Sequence, residues 1–430
     1  MLKKALIITY YWPPSGGSGV QRWMYFAKYL KANGIEPIVL TIDPKSAAYP
    51  AFDPSLEQHT EGIKVVHTSG GFQLLKLYSL IKSGSTKGHI PVGDFGSKKK
   101  TLIDKIAGSI RANLFIPDAR VGWNKKALPA AHKIIQSENI DFVITTGPPH
   151  STHLIGLALK QQHNIHWVAD FRDPWREVYY NKLFNRFGFA DKKDALLEKN
   201  VLTNADTVLT VGPTMKKLLA TKTDDAKIFY IHNGFDVASF TNLTTNRYAE
   251  KTICHIGVWT TNQPYQIVCT AIKQLLAETS LKLRFVVVGS VADEIIEALQ
   301  QVPGLVVDVK GKVSHQAALQ EMKNADVLLN CLPIQDNAEL LVSGKLMEYL
   351  ASGNQVLALG KTKGDAAAVM HEIPHAAIVE NDDFDGLYAH LKAQLSSDFT
   401  NENTPEAIKK YSREATAAQL AVLLLERLKG

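Results

Sequence analysis

Long hydrophobic runs are missing from this chain. No stretch of about 18 apolar residues occurs, so no segment is built to cross a bilayer as a helix. Cysteine is scarce: Cys254, Cys269 and Cys331 are odd in number and set among apolar residues. That excludes a disulfide framework and suits small core residues in a reducing compartment, the cytoplasm. The start, Met1-Leu2-Lys3-Lys4 followed by an apolar 5–8, imitates a secretion signal but breaks at Pro13-Pro14 and lacks a small-residue cleavage site, so it reads as a first buried strand. A third glycine is missing after Gly17-x-Gly19, where Arg22 stands instead. This leaves only a poor match to a dinucleotide fingerprint in which Asp43 would hold a ribose. An intact zinc motif is missing too. His371-Glu372-Ile373-Pro374-His375 has the spacing, but Pro374 breaks the helical turn that would bring both histidines to one face. No metal site is expected there, and the stretch reads as a helix-to-strand connection.

What is present is enough for more than one core, since 430 residues point to two domains. Charge divides unevenly between them. Residues 1–240 hold 31 Lys+Arg against 20 Asp+Glu, and residues 241–430 hold 17 against 22. A basic first half faces something anionic, and nucleic acid, lipid headgroups and a phosphorylated acceptor all qualify. Apolar periodicity predicts strands over 2–10, 35–42, 63–67, 141–146, 166–169, 206–211 and 227–231, with helices over 20–31, 74–81 and 123–137. Residues 83–100 are rich in Gly, Ser and Lys and end in Lys98-Lys99-Lys100, a loop. The stripe Leu102, Ile103, Ile106, Ala107, Ile110 and Leu114 then serves equally as a core helix or as a basic amphipathic helix on a membrane surface. After a turn at His232-Asn233-Gly234-Phe235-Asp236, strands recur over 253–257, 283–289, 306–309, 326–331, 355–359 and 376–379 with helices between. Such alternation gives parallel sheets covered on both faces. One last helix is predicted over 405–428, long enough to pack back on the first domain.

Three loops carry candidate chemistry. Gly16 and Gly17 lie in a Gly-rich turn between a strand and a helix, the parts of a phosphate cradle. His150 lies in Gly147-Pro148-Pro149-His150, a strand-to-helix loop where α/β proteins bind ligands. Asp170-Phe171-Arg172-Asp173-Pro174-Trp175 packs three charges at the end of a strand, either as an internal Arg172 ion pair or as a substrate clamp. The stretch around which the chain is organised is Ser343-Gly344-Lys345-Leu346-Met347-Glu348-Tyr349-Leu350. Taken alone it is an ordinary capped helix. Yet Ser343 is a good N-cap, Gly344 lets a ligand reach free backbone amides, Lys345 adds positive charge, and Glu348 offers a carboxylate one turn on. Phosphate plus ribose is the ligand such a helix start fits.

Together, Tyr11-Trp12-Pro13-Pro14 with Gly16-Gly17, Ile231-His232-Asn233-Gly234-Phe235-Asp236, Gly344-Lys345-Leu346-Met347-Glu348-Tyr349-Leu350 and the returning C-terminal helix resemble the retaining nucleotide-sugar glycosyltransferases of family 4 (group 1). The resemblance is to the bacterial cell-surface polysaccharide type. It implies an α/β GT-B fold: two Rossmann-like domains facing across a cleft, with a C-terminal helix returning to the N-terminal domain. It implies an acceptor-binding domain over 1–235 with 410–430, and a nucleotide-sugar domain over 236–409. Donor contacts are expected from Gly16, Gly17, Lys312, Val313, Ser343, Gly344, Leu346 and Glu348, the last on the ribose. Arg172, Asp173, Glu339 and Lys345 are the expected catalytic groups, and His150 and Asp170 face the acceptor. The partners implied are a nucleotide-sugar donor and a glycan or lipid-linked acceptor, without nucleic acid, cofactor or tightly held metal, in a cytoplasmic protein free to touch an anionic inner membrane face. Three departures stand out. Leu340 occupies the place of a first glutamate, with Glu339 beside it. Gly257-Val258-Trp259 and Asn262-Gln263-Pro264 replace an Arg/Lys diphosphate clamp, and Arg172 replaces a histidine. A scaffold that binds glycan or nucleotide without turnover is the first alternative, and a nucleotide-sugar epimerase the second.

Overall fold

The computed structural model describes residues 2–49, 51–71, 113–178, 186–241, 243–399 and 405–429. The expected helix over 74–81, the loop ending in Lys98-Lys99-Lys100 and nearly all of the stripe that starts at Leu102 lie outside the described residues. Contacts divide the chain into two units, Met1–His232 with Thr416–Gly430, and Asn233–Ala415.

In the first unit, strands β1 (Lys3–Ile8), β2 (Ile35–Ile42), β3 (Lys64–Thr68), β4 (Phe142–Gly147), β5 (His166–Phe171), β6 (Thr207–Thr210) and β7 (Ile228–Tyr230) form a parallel sheet. Its order is β3-β2-β1-β4-β5-β6-β7, so chain direction across the sheet reverses between β1 and β4. Such a reversal opens a crevice at the carboxyl ends of the two strands. The strands are apolar on both faces because helices cover both. Ile7, Val39 and Ile144 meet Trp23, Phe26 and Leu30 of the Ser18–Leu30 helix, and Ala417, Leu420, Ala421 and Leu424 of the final helix join the same core. That apolar face is what returns the C-terminus to the first unit.

The second unit repeats the plan with β8 (Lys251–Trp259), β9 (Leu283–Val291), β10 (Leu305–Gly311), β11 (Val327–Cys331), β12 (Gln355–Leu359) and β13 (Ala376–Val379), in the parallel order β10-β9-β8-β11-β12-β13. Here the reversal falls between β8 and β11.

Two expectations need correction. The single helix over 405–428 is broken into Glu406–Lys409 and Arg413–Arg427. The break exists because Ser412 bridges Phe235, and the Arg413 amide donates to the Phe235 carbonyl at 2.8 Å. Gly234 permits that approach, since a Cβ there would run into the Tyr411 carbonyl. Strand β5 also runs on to Phe171, so Asp170 sits within it rather than beyond its end. His371 follows the Asp365–Met370 helix and His375 precedes β13, so that stretch is a helix-to-strand connection.

Candidate functional site

In the second unit the chain leaves β11, makes a short turn at Ala338–Leu340 and enters the Gly344–Ala351 helix. Tyr349 pins this helix to the sheet, its hydroxyl accepting from the Ile256 amide at 2.7 Å. Ser343 caps it, with Oγ accepting from the Leu346 amide at 3.1 Å. Leu346 itself is fully buried and its amide is taken by the cap, so what it offers a ligand is no more than its place in the turn. The open position is Gly344: nothing lies within 4 Å of where a Cβ would stand. Backbone amides at this helix start are thus approachable by an anion.

Lys345 extends from the same turn over the end of β8. A Cβ on Gly257 would lie 2.9 Å from Lys345 Cε and collide with the ammonium, and Gly257 has φ of +118°. The bare glycine where a clamp residue was expected is therefore the space that holds a lysine from another element. Burial lowers the Lys345 pKa from its ordinary value, against the opposing pull of Cys331 and Glu348. Glu348, one turn along, accepts from or shares a proton with His315 Nε2 at 2.9 Å. His315 opens the His315–Asn324 helix, whose cap Ser314 accepts from the Ala317 amide. Lys312 and Val313 lie just before it, both exposed. Glu339 is half-buried in the Ala338–Leu340 turn, while Leu340 packs inward. His315 was not singled out from the sequence. Its only signal is a capped helix start 33 residues before Glu348, and proximity at that separation is a product of the fold.

The first unit holds the other candidates. Gly16 is tightly placed, its Cβ position 3.1 Å from Asp53 Cβ, whereas Gly17 has φ of +95° and open space around it. Arg172 donates to three main-chain carbonyls, those of Gly19, Pro148 and Gly147, and so ties its own loop to the start of the Ser18–Leu30 helix and to the turn that follows β4. Asp173 beside it is exposed. Asp170 has no exposed surface. It accepts from Arg22 Nε and Nη2 at 3.2 and 3.1 Å, from Trp23 Nε1 at 2.6 Å and from Thr146 Oγ1 at 2.8 Å. The ion pair predicted for this stretch therefore belongs to Arg22, the residue where a third glycine was missing. His150 is buried and stacked on Trp175 at 4.9 Å, and burial with neighbouring His153 and Arg172 holds its pKa well below the ordinary histidine value.

Two parallel α/β units, each with a reversal of strand order in its sheet, and an approachable helix start in the second are the parts of a GT-B-type fold. The comparisons agree. The sucrose-phosphate synthase from Thermosynechococcus elongatus is similar at a TM-score of 0.62 and 15% identity, over 99% of this chain and 98% of that one. TarM matches at 0.60 and 11% identity, over 99% of both chains. Anabaena HepE, solved with UDP and glucose, matches at 0.55 and 11% identity, over 99% of this chain and 97% of that one. At these identities the likeness is one of fold. No curated protein matches the chain by sequence. The model of Glycosyltransferase Family 4 matches residues 97–239, and that of Glycosyl transferases group 1 matches residues 250–397. The chain belongs to the family 4/group 1 glycosyltransferases, and it is a glycosyltransferase.

Proposed function

We propose that the chain transfers a sugar from a nucleoside diphosphate donor to a polysaccharide or lipid-linked acceptor with retention of anomeric configuration. The second unit takes the donor and the first unit the acceptor. The observation that carries this reading is the Gly344 helix start: open amides, the Lys345 ammonium laid over Gly257, and the Glu348 carboxylate one turn on. Diphosphate charge is met by Ser343, Gly344 and Lys345, and Glu348 takes the ribose, displacing His315. As the bond to the leaving diphosphate breaks, charge grows on its oxygens. Donors already aimed at that position stabilise it without a tightly held metal. Anabaena HepE was solved with UDP, and UDP is the first donor nucleotide to try here. Arg172 supports the first unit's loops, and Asp173 is the exposed carboxylate left beside it. A cytoplasmic enzyme at an anionic membrane face suits the basic first half of the chain. Among the described residues no helix is long and apolar enough to cross a membrane.

Thermal shift against a panel of nucleoside diphosphates tests the donor side, because a ligand bound to the native state raises stability by mass action. One diphosphate raises Tm in the wild type, and Glu348→Ala removes the shift. If no nucleotide shifts Tm and glycan alone binds, the scaffold alternative replaces this reading, an alternative favoured by the inward-packed Leu340 where a glutamate was expected. Proton NMR of the product anomer decides retention. Release of an epimerised donor without transfer would instead identify an epimerase.

A further inference from the structure

The Gly188–Asn204 helix of the first unit turns its acids inward and its large apolar side chains outward. Asp194 has no exposed surface and accepts from Trp175 Nε1 at 2.9 Å and from Arg186. Glu198 is buried and accepts from Lys222 Nζ at 2.8 Å, and Asp191, on the flank, accepts from Arg176 Nη2 at 2.8 Å. The opposite face has an apolar middle line. Phe189 and Leu196 stand two turns apart on it, 61% and 57% exposed. Phe187, 56% exposed, adjoins Phe189 with ring centroids 6.2 Å apart. At 3.6 residues per turn, Lys192 and Lys199 fall on one side of this line and Lys193 on the other. All three lysines are exposed, and among the described residues none has a carboxylate partner.

A single exposed apolar residue is ordinary, but a line of them bordered by unpaired ammonium groups is the pattern of a helix lying in a membrane interface. Aromatic and leucine side chains enter the boundary between headgroups and acyl chains, lysine stems lie along it, and their charges meet anionic headgroups. Charge argues against a second copy on this face, because a symmetric pair would set lysines against lysines. Nucleic acid would supply phosphates but no hydrocarbon for Phe189 and Leu196.

We propose that the outward face of this helix docks the first unit on an anionic lipid surface, with Phe187, Phe189 and Leu196 inserted and Lys192, Lys193 and Lys199 on the headgroups. The inward acids hold the loop after β5 to the docked helix, since Trp175 and Arg176, their partners, follow Asp173 in that loop. The arrangement suits an acceptor whose sugar is carried on a lipid. The docking face stands on the helix alone, while its service to a lipid-linked acceptor rests on the proposed transferase reading.

The experiment is flotation of the full chain with vesicles of phosphatidylcholine mixed with phosphatidylglycerol, and with phosphatidylcholine alone. The wild type floats with the anionic vesicles and not with the neutral ones. Phe189→Ser with Leu196→Ser weakens the partition by about tenfold or more, the loss of two inserted side chains. Neutralising Lys192, Lys193 and Lys199 to Gln weakens it by about fivefold for each charge removed. Every position changed is exposed, so Tm stays at the wild-type value in both series. A wild type that ignores anionic vesicles overturns the proposal, and so do variants that float as the wild type does. Weakening in the lysine series alone also overturns it, marking a contact for a soluble polyanion. So does unchanged flotation in a Phe189→Ser, Leu196→Ser variant whose sedimentation shows a lost dimer, which would give the face to a second copy. Thermal shift with nucleoside diphosphates separates the two ideas. Vesicle binding without any nucleotide shift keeps the docking face and rejects the donor reading, and a nucleotide shift without vesicle binding does the reverse.

Discussion

Buried histidines set how single residues respond to acid. His153 and His255 are fully enclosed, and burial drops both pKa values to about 3 from an ordinary 6.5. Above about pH 6.5 neither the folded nor the unfolded chain protonates them. Between 6.5 and 3 the unfolded chain binds protons that the native state refuses, so stability falls as pH falls. Urea unfolding followed from pH 7 to pH 4 is expected to show that slope, and His255→Gln to flatten it. Asp170 behaves differently, as an acceptor for donors on Arg22, Trp23 and Thr146. Asp170→Ala strands the Arg22 guanidinium in the core and is expected to cost about 3–5 kcal/mol in chemical denaturation.

At the scale of elements, the Gly344–Ala351 helix is positioned by what neighbouring strands leave out. Gly257 at the end of β8 gives Lys345 its channel, so Gly257→Ala is expected to push the ammonium aside and to strain a φ of +118°. The readout is nucleotide binding, which should weaken about tenfold or more, as for a lost charged hydrogen bond, with the Asn233–Ala415 unit still folded by circular dichroism. The helix and its cap were legible because Ser343, Gly344 and the apolar spacing of Leu346, Met347 and Leu350 are local signals. The lysine's resting place was not, since Gly257 and Lys345 are far apart in sequence and only the parallel β8–β11 arrangement brings them together. Arg172 shows the converse. Its position after β5 suggested a clamp, and the folded loops surround it with carbonyl oxygens instead.

For the whole molecule, the last helix is the strongest link between sequence order and architecture. Ala417, Leu420 and Leu424 are buried with Trp23 and Phe26, in the core of the unit where the chain began. Leu420→Ala leaves a cavity there and is expected to lower the stability of the Met1–His232 unit by about 2–5 kcal/mol, with the Asn233–Ala415 unit unaffected. Two separable transitions in denaturation, only the first displaced, would show it.

Periodicity and turn residues alone were enough to determine two parallel α/β units, the strand positions within a residue or two for most strands, and a phosphate-suited helix start. Those features arise from contacts among near neighbours and from burial, which each segment carries in its own pattern. Which polar residues are taken up by internal partners was decided only by tertiary structure. Asp170 and Arg172 bear the same charges in the chain as Glu348 and Lys345, but the first two are enclosed by donors and carbonyls of their own unit, whereas Glu348 meets His315 and Lys345 lies over Gly257, beside the unobstructed Gly344. A charge acquires its role from the partners the fold brings to it, and those partners come from distant segments.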